Sequence, residues 1–88
     1  MNANQILQRY LAGERDFQHI CLSQASLSGV NLSDADFSYA NFSNAELSNA
    51  NLSNSKLVGT DFNRANLHRA NLNGVILLHS CLFWANLN

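Results

Sequence analysis

Ala40–Asn54 reads Ala-Asn-Phe-Ser-Asn, Ala-Glu-Leu-Ser-Asn, Ala-Asn-Leu-Ser-Asn, which is one five-residue pattern repeated three times. Each unit begins with a small residue, has Leu or Phe at its centre and ends in polar residues. The pattern extends in both directions without a gap, so that Leu or Phe occupies fifteen successive centres. These centres are Phe17, Leu22, Leu27, Leu32, Phe37, Phe42, Leu47, Leu52, Leu57, Phe62, Leu67, Leu72, Leu77, Leu82 and Leu87.

A period of five matches neither regular element. On an α-helix five residues advance by about 500°, so successive centres would not share a face. On a flat strand they would alternate between the two sides. Within one unit, however, the small residue and the centre are two apart, so a short extended segment points both the same way. Bends at the intervening Asn, Asp, Ser and Gly residues then predict a solenoid with the centres inside.

The unit at Ala50 to Asn54 resembles the pentapeptide-repeat family, whose motif is a small residue, Asp or Asn, Leu or Phe, and two variable residues. The resemblance covers Arg15 to Asn88, 74 of the 88 residues. It implies an all-β solenoid, a right-handed quadrilateral parallel β-helix of about four coils with four pentapeptides in each. Residues twenty apart should then stack, and Asn31, Asn51 and Asn71 should form a surface ladder. Short members of this kind resemble the repeat proteins abundant in cyanobacteria.

Residues 1–14 lie outside this register, and residues 15–88 are predicted to form the β-helix. Asn2 or Asn4 can cap a helix whose one face carries Ile6, Leu7, Tyr10 and Leu11. Gly13 is a suitable C-terminal stop. We expect this helix to cover the first coil, because an exposed β edge promotes aggregation.

The last coil differs from the others at its outward positions, which elsewhere carry Ser, Asn and Asp. Here they are apolar, and Cys81 lies beside them. An uncovered edge beside exposed aromatic residues indicates a contact with a protein partner or a second copy. The alternative is that these side chains only cover the final coil. The predicted interface residues are Ile76, Leu78, Phe83 and Trp84.

Composition excludes some functions. The net charge of −1 leaves no broad basic field, so direct nucleic-acid binding is not expected. Some members of the family that the chain resembles mimic DNA and protect DNA gyrase. Gyrase or topoisomerase modulation is therefore an alternative function, although mimicry needs a denser negative charge than this chain carries. The N-terminus lacks a basic segment followed by an apolar run, and no stretch of about 18 apolar residues occurs, which favours a cytoplasmic protein without a membrane span.

Catalytic and metal sites are not expected. His19 and Cys21 have equivalents in His79 and Cys81, but sixty residues are three coils, roughly 14 Å, so the two pairs cannot share a metal ion or form a disulfide. No nucleophile–base set and no phosphate-binding Gly-rich loop can be assembled. Arg64, Arg69 and His68 form a small basic spot, interpreted as a solvated face. The sequence therefore predicts a non-catalytic structural or protein-interaction module without a cofactor.

Overall fold

The computed structural model describes residues 1–88 and contains one helix, α1 (Ala3–Leu11), followed by a tube held together by parallel β-bridges. Every bridge joins residues twenty apart, so four pentapeptides make one coil with four sides. The molecule measures 32 × 23 × 21 Å. Each side contributes one bridging residue and no longer strand. The bridges are Asp16↔Asp36, Cys21↔Asn41, Ser26↔Glu46, Asn31↔Asn51, Asp36↔Lys56, Asn41↔Asp61, Glu46↔Asn66, Asn51↔Asn71, Lys56↔Ile76, Asp61↔Cys81 and Asn66↔Asn86.

Backbone hydrogen bonds join each coil to the next with the same twenty-residue offset. The N–H of Phe17 donates to Asp36 O at 2.8 Å, and the N–H of Asp36 donates back to Arg15 O at 2.8 Å. Donors and acceptors therefore alternate along each edge. The bonding pattern repeats from side to side because the bridging residue always precedes a centre.

A tight turn follows nearly every centre and forms the corner of the tube. In the turn after Phe42, the N–H of Ala45 donates to Phe42 O at 3.0 Å, and Asn44 has a φ of 57°. A positive φ at the third turn position alone corresponds to a type II turn, which favours Gly or Asn. The same position is occupied by large residues elsewhere, including Tyr39 (φ 62°) and Trp84 (φ 62°).

The polar residue before each centre stabilises the turn of its own pentapeptide. Asn51 Oδ1 accepts the backbone N–H of Ser53 at 3.0 Å, and Asn71 Oδ1 accepts that of Asn73 at 3.0 Å. Asn31, Asn51 and Asn71 do stack through their bridges. Their side-chain oxygens, however, bond within the turn and not to one another, so the expected ladder of stacked amides is replaced by a column of turn-stabilising contacts.

The interior of the tube is filled by the centres. Eleven of them, from Phe17 to Leu67, are at most 2% exposed, and the rings of Phe37 and Phe42 meet edge to face with centroids 5.2 Å apart. Burial declines in the last coil, where Leu72, Leu77 and Leu82 are partly buried. The prediction that Leu87 is a core residue is wrong, since its side chain is 53% exposed. No coil within residues 1–88 lies over Leu87 to cover it.

Helix α1 begins at Ala3, and Asn2 caps its N-terminus in a reciprocal arrangement. Asn2 Oδ1 accepts the N–H of Gln5 at 2.9 Å, and Gln5 Oε1 accepts the N–H of Asn2 at 3.0 Å. Of the two candidate caps, the structure therefore has Asn2. Ala12 is the C-cap residue of α1, and Gly13, with a φ of 99°, follows it.

One face of α1 covers the first coil. Ile6 is fully buried with the core, and Leu7 and Tyr10 pack against it. The predicted apolar face is wrong for Leu11, which is 85% exposed, because a residue five positions after Ile6 lies about 140° away around the helix. Tyr10 Oη donates to Ser33 O at 2.8 Å, so the helix also satisfies a carbonyl group at the edge of the first coil.

Candidate interface at the C-terminal coil

The four predicted interface residues all point outward from the last coil. Their side chains are exposed by 44% at Ile76, 64% at Leu78, 63% at Phe83 and 70% at Trp84. Ile76 and Leu78 flank the inward-pointing Leu77 on one side of the tube. Phe83 belongs to the next side, and Trp84 occupies the corner after it. We call these four residues the C-terminal apolar surface.

The two aromatic residues of this surface contact each other. The rings of Phe83 and Trp84 are 5.2 Å apart with an interplanar angle of 73°, an edge-to-face arrangement. Trp84 is held at its corner in the left-handed backbone region, which L-residues enter at a cost of about 1–2 kcal/mol. The turn that presents the indole to solvent is closed by the N–H of Ala85, which donates to Leu82 O at 3.0 Å.

Basic residues lie one coil behind the apolar surface. Lys56 bridges to Ile76, and the N–H of Arg64 donates to Phe83 O at 2.8 Å, which places Arg64 directly behind the Phe83–Trp84 corner. The last carboxylate side chain in the sequence is that of Asp61. The surface is therefore bordered, on the side that faces the rest of the tube, by Lys56 and Arg64 and by the one carboxylate of Asp61, which bridges to Cys81.

The edge of the last coil carries backbone donors that are bonded in earlier coils. The N–H of Leu52 donates to Asn71 O at 2.9 Å, whereas the N–H groups one coil further on have no backbone acceptor in this chain. These donors belong to Leu72, Leu77, Leu82 and Leu87. The opposite end of the tube is covered by α1, so the two ends differ in chemistry.

The histidine and cysteine pairs are far apart. Cys21 and Cys81 are connected through Asn41 and Asp61 by three successive bridges, so three coils separate them, and both thiols are exposed. A hydrogen bond with the Ser23 side chain lowers the pKa of Cys21. His19 stacks on Tyr39 with ring centroids 5.2 Å apart. No three His, Cys, Asp or Glu side chains converge on one point.

Glu46 is the centre of a polar network on another side of the tube. Asn66 Nδ2 donates to Oε1 of Glu46 at 3.0 Å and to Oε2 at 3.2 Å. Asn86 Nδ2 in turn donates to Asn66 Oδ1 at 3.2 Å. A hydrogen bond from the Ser48 side chain, followed by the bond from Asn66, lowers the pKa of Glu46. This network links three coils and so contributes to their alignment.

One depression on the surface is a furrow of about 310 Å³ that is open to solvent. It is lined by charges of both signs, and one hydrophobic residue contributes to it. The lining residues are Arg15, Asp16, Asp34, Ala35, Asp36, Asn54 and Lys56.

The one helix, with nine residues, is too short to cross a membrane.

Comparison with known proteins agrees with this architecture. The family model for pentapeptide repeats matches residues 16–54 and 50–88, with eight copies. The chain belongs to the pentapeptide-repeat family. The predicted right-handed quadrilateral β-helix with a short N-terminal helix is thereby confirmed. Among proteins with curated functions, none matches the sequence significantly.

Two solved pentapeptide-repeat structures are similar to the chain. One is a pentapeptide repeat protein from Nostoc Pcc 7120, with 37% identity and a TM-score of 0.97 over 99% of this chain and 72% of that protein. The other comes from the Arabidopsis thaliana thylakoid lumen, with 27% identity and a TM-score of 0.73 over 84% of this chain and 59% of that protein. Both establish the fold and leave the cellular role open.

Lys56 and Arg64 belong to the candidate site in the structure but are not recognised as part of it in the sequence. The sequence pattern places Arg64 with Arg69 and His68 in a small basic patch on a solvated face, and it does not connect Lys56 with the interface. A twenty-residue offset applied to the apolar positions finds both residues, because it carries Ile76 to Lys56 and Trp84 to Arg64.

Proposed function

We propose that this pentapeptide-repeat protein is a non-catalytic interaction module that contacts a protein partner, or a second copy of itself, through its C-terminal end. The observation that carries the proposal is the concentration of exposed apolar side chains in one coil. Ile76, Leu78, Phe83 and Trp84 lie on two adjoining sides and the next corner, whereas the outward positions of the earlier coils are mostly polar. Contiguous exposed apolar patches mark interaction sites more often than isolated apolar residues do.

The edge of the last coil adds support. Within residues 1–88 the N–H groups of Leu72, Leu77, Leu82 and Leu87 have no backbone acceptor, and such groups can donate hydrogen bonds to an added strand, a recurring mode of peptide recognition. Helix α1 covers the other end with its apolar face and presents polar side chains such as Gln5 and Gln8 to solvent. A second copy would therefore meet the apolar end with its own apolar end, and not with its helix.

Light scattering tests self-association. At high micromolar concentration we expect the wild type to include dimers, and Trp84→Asp to shift the mass to the monomer. Tyr39→Asp is the matched control, because Tyr39 is 56% exposed and occupies the same turn position with a φ of 62°. A monomeric wild type removes self-association.

The protein-partner form of the proposal is tested by affinity capture from the source cell. A partner should be retained by the wild type and by Tyr39→Asp and lost with Trp84→Asp. If the wild type is monomeric and the three proteins capture the same set, the C-terminal apolar surface has no role in binding.

The DNA-gyrase alternative has less support. Mimicry of a duplex requires a dense negative field, whereas six acidic side chains are offset here by five basic ones. An effect of micromolar protein on gyrase supercoiling would revive it.

The cytoplasmic location stays a prediction from the sequence, and the Arabidopsis relative, which comes from the thylakoid lumen, illustrates another compartment.

A further inference from the structure

Charge is distributed unevenly along the tube. Residues 15–54 carry Arg15 and four carboxylates, a net charge of −3. Residues 55–74 carry three cations and Asp61, a net charge of +2, and residues 75–88 carry no Asp, Glu, Lys or Arg. The C-terminal apolar surface is therefore bordered by the most basic coil of a protein whose net charge is −1.

The cations of this coil are free to pair with another molecule. Lys56, Arg64 and Arg69 are exposed, and the one ion pair in the structure joins Arg9 to Glu14 at the opposite end. Asp61 is the nearest carboxylate in sequence to Arg64. Its Oδ1 accepts the N–H of Asn63 at 2.8 Å and its backbone bridges to Cys81, so its negative charge remains beside the three cations and reduces the net charge of this coil to +2.

We propose that the C-terminal apolar surface and the cations behind it bind an acidic protein segment that also carries apolar side chains. This inference rests on the proposed function and specifies the chemistry of the partner. Apolar side chains of the segment would pack against Phe83, Trp84 and Leu78. Its carboxylates would reach Arg64 and Lys56, which lie one coil back, at a spacing of about 4.8 Å per coil.

Charge complementarity favours such a segment over other occupants. A second copy docked end to end would bring more cations to the interface and no carboxylate side chain from its last coil. A nucleic acid would find a net charge of only +2 in this coil and a net charge of −3 in residues 15–54, which is too weak a positive field to neutralise several phosphates. Because the side chains project from the sides of the tube, they can be reached without access to its end.

Trp84 provides the readout, since it is the single tryptophan of the chain and is 70% exposed. The probe is a synthetic peptide that alternates Asp or Glu with Leu or Ile. About ten residues span roughly 33 Å when extended, which exceeds the 23 Å width of the tube. One control peptide replaces the acidic residues with Lys, and the other replaces the apolar residues with Ser.

We expect the acidic apolar peptide to shift Trp84 emission to shorter wavelength and to bind at least about ten-fold more tightly than either control. Added salt should weaken this binding, because it screens exposed charges. The double variant Lys56→Gln, Arg64→Gln removes the two cations that the segment would reach and should lose about ten-fold in affinity. Arg9→Gln removes the same kind of charge at the far end and should bind like the wild type.

Several results overturn the inference. Equal affinity for the acidic and Lys peptides, or unchanged affinity in the double variant, would show an apolar site without charge selection and leave the proposed function standing. Tighter binding to a single-stranded oligonucleotide or to phosphatidylglycerol vesicles than to the peptide would assign the surface to another class of partner. Dimerisation of the wild type that the peptide does not displace would assign it to a second copy. No response to any probe would remove this inference, and the proposed function would fall with it if the wild type is also monomeric and affinity capture is unchanged by Trp84→Asp.

Discussion

Gly59 lies beneath the ring of Tyr39, and this contact makes an alanine substitution a sensitive test of how outward side chains stack. A Cβ at Gly59 would lie 2.6 Å from Cδ1 and 2.7 Å from Cε1 of Tyr39. Carbon atoms prefer separations of about 3.5–4.0 Å, so the ring must move by about 1 Å. Gly29 is the matched control, because it has a φ of 70° against 64° at Gly59 and a Cβ added there would have no atom within 4 Å.

The magnitude is set by two costs. Both Gly29→Ala and Gly59→Ala place an L-residue in the left-handed region, at about 1–2 kcal/mol. Gly59→Ala also displaces Tyr39 from its stack on His19, where the ring centroids are 5.2 Å apart. Loss of such a pair costs about 0.5–1.5 kcal/mol. We therefore expect Gly59→Ala to destabilise the protein by about 1 kcal/mol more than Gly29→Ala does, or by about 4–8 °C in melting temperature.

Urea unfolding followed by far-ultraviolet circular dichroism measures both variants, and a double-mutant cycle isolates the ring. In a Tyr39→Ser background the extra cost of Gly59→Ala should disappear, which gives a coupling energy of about 1 kcal/mol. A coupling energy below about 0.3 kcal/mol, the scatter expected for independent sites, would refute the reasoning. Tyr39 would then not pack over Gly59 in solution.

Three further predictions test the core and the ionisable groups. Phe42→Ala should cost about 3–5 kcal/mol in the free energy of unfolding because its ring is fully buried, whereas Leu87→Ala should cost well under about 1 kcal/mol because its side chain is 53% exposed; urea titration compares them. The pKa of Glu46 is lowered in the folded state, so its stabilising effect is complete above the unfolded pKa of about 4.3 and is lost as the pH falls through the folded pKa. The urea midpoint of the wild type should therefore fall more steeply with acidification in that window than that of Glu46→Gln, and parallel curves would contradict this. The pKa of the Cys21 thiol is lowered by its hydrogen bond with Ser23, so Ser23→Ala should move the pH midpoint of Cys21 alkylation upward, as followed by peptide mass spectrometry; an unchanged midpoint would count against the bond.

The inside of the tube is more predictable from the sequence than its ends are. An uninterrupted period of five specifies which side chains point inward, because a register error would expose Phe37 and Phe42 together. The same kind of periodic reasoning places Leu87 and Leu11 on apolar faces. It fails for them because burial requires a covering layer, and periodicity specifies direction only.

The turns are predictable only in part. Asn, Asp, Ser and Gly between the centres indicate bends, but they do not reveal that a positive φ is required two residues after each centre. Tyr39 and Arg64 at that position obscure the requirement, since neither is a typical left-handed residue. The surrounding bridges hold these residues there, so tertiary structure overrides local preference.

The regularity of the fold also explains why the outside of the tube carries the functional information. Inward positions must be small or Leu/Phe in every coil, and the residue before the centre is most useful when it can bond its own turn, as Asn51 does. The turn position tolerates Asn or Gly at the lowest cost, so Trp84 at that place is not explained by stability. It is 70% exposed, and Phe83 supplies its one aromatic contact. A side chain that the tube does not need, exposed at a turn one coil beyond Arg64, supports the proposed contact outside the chain.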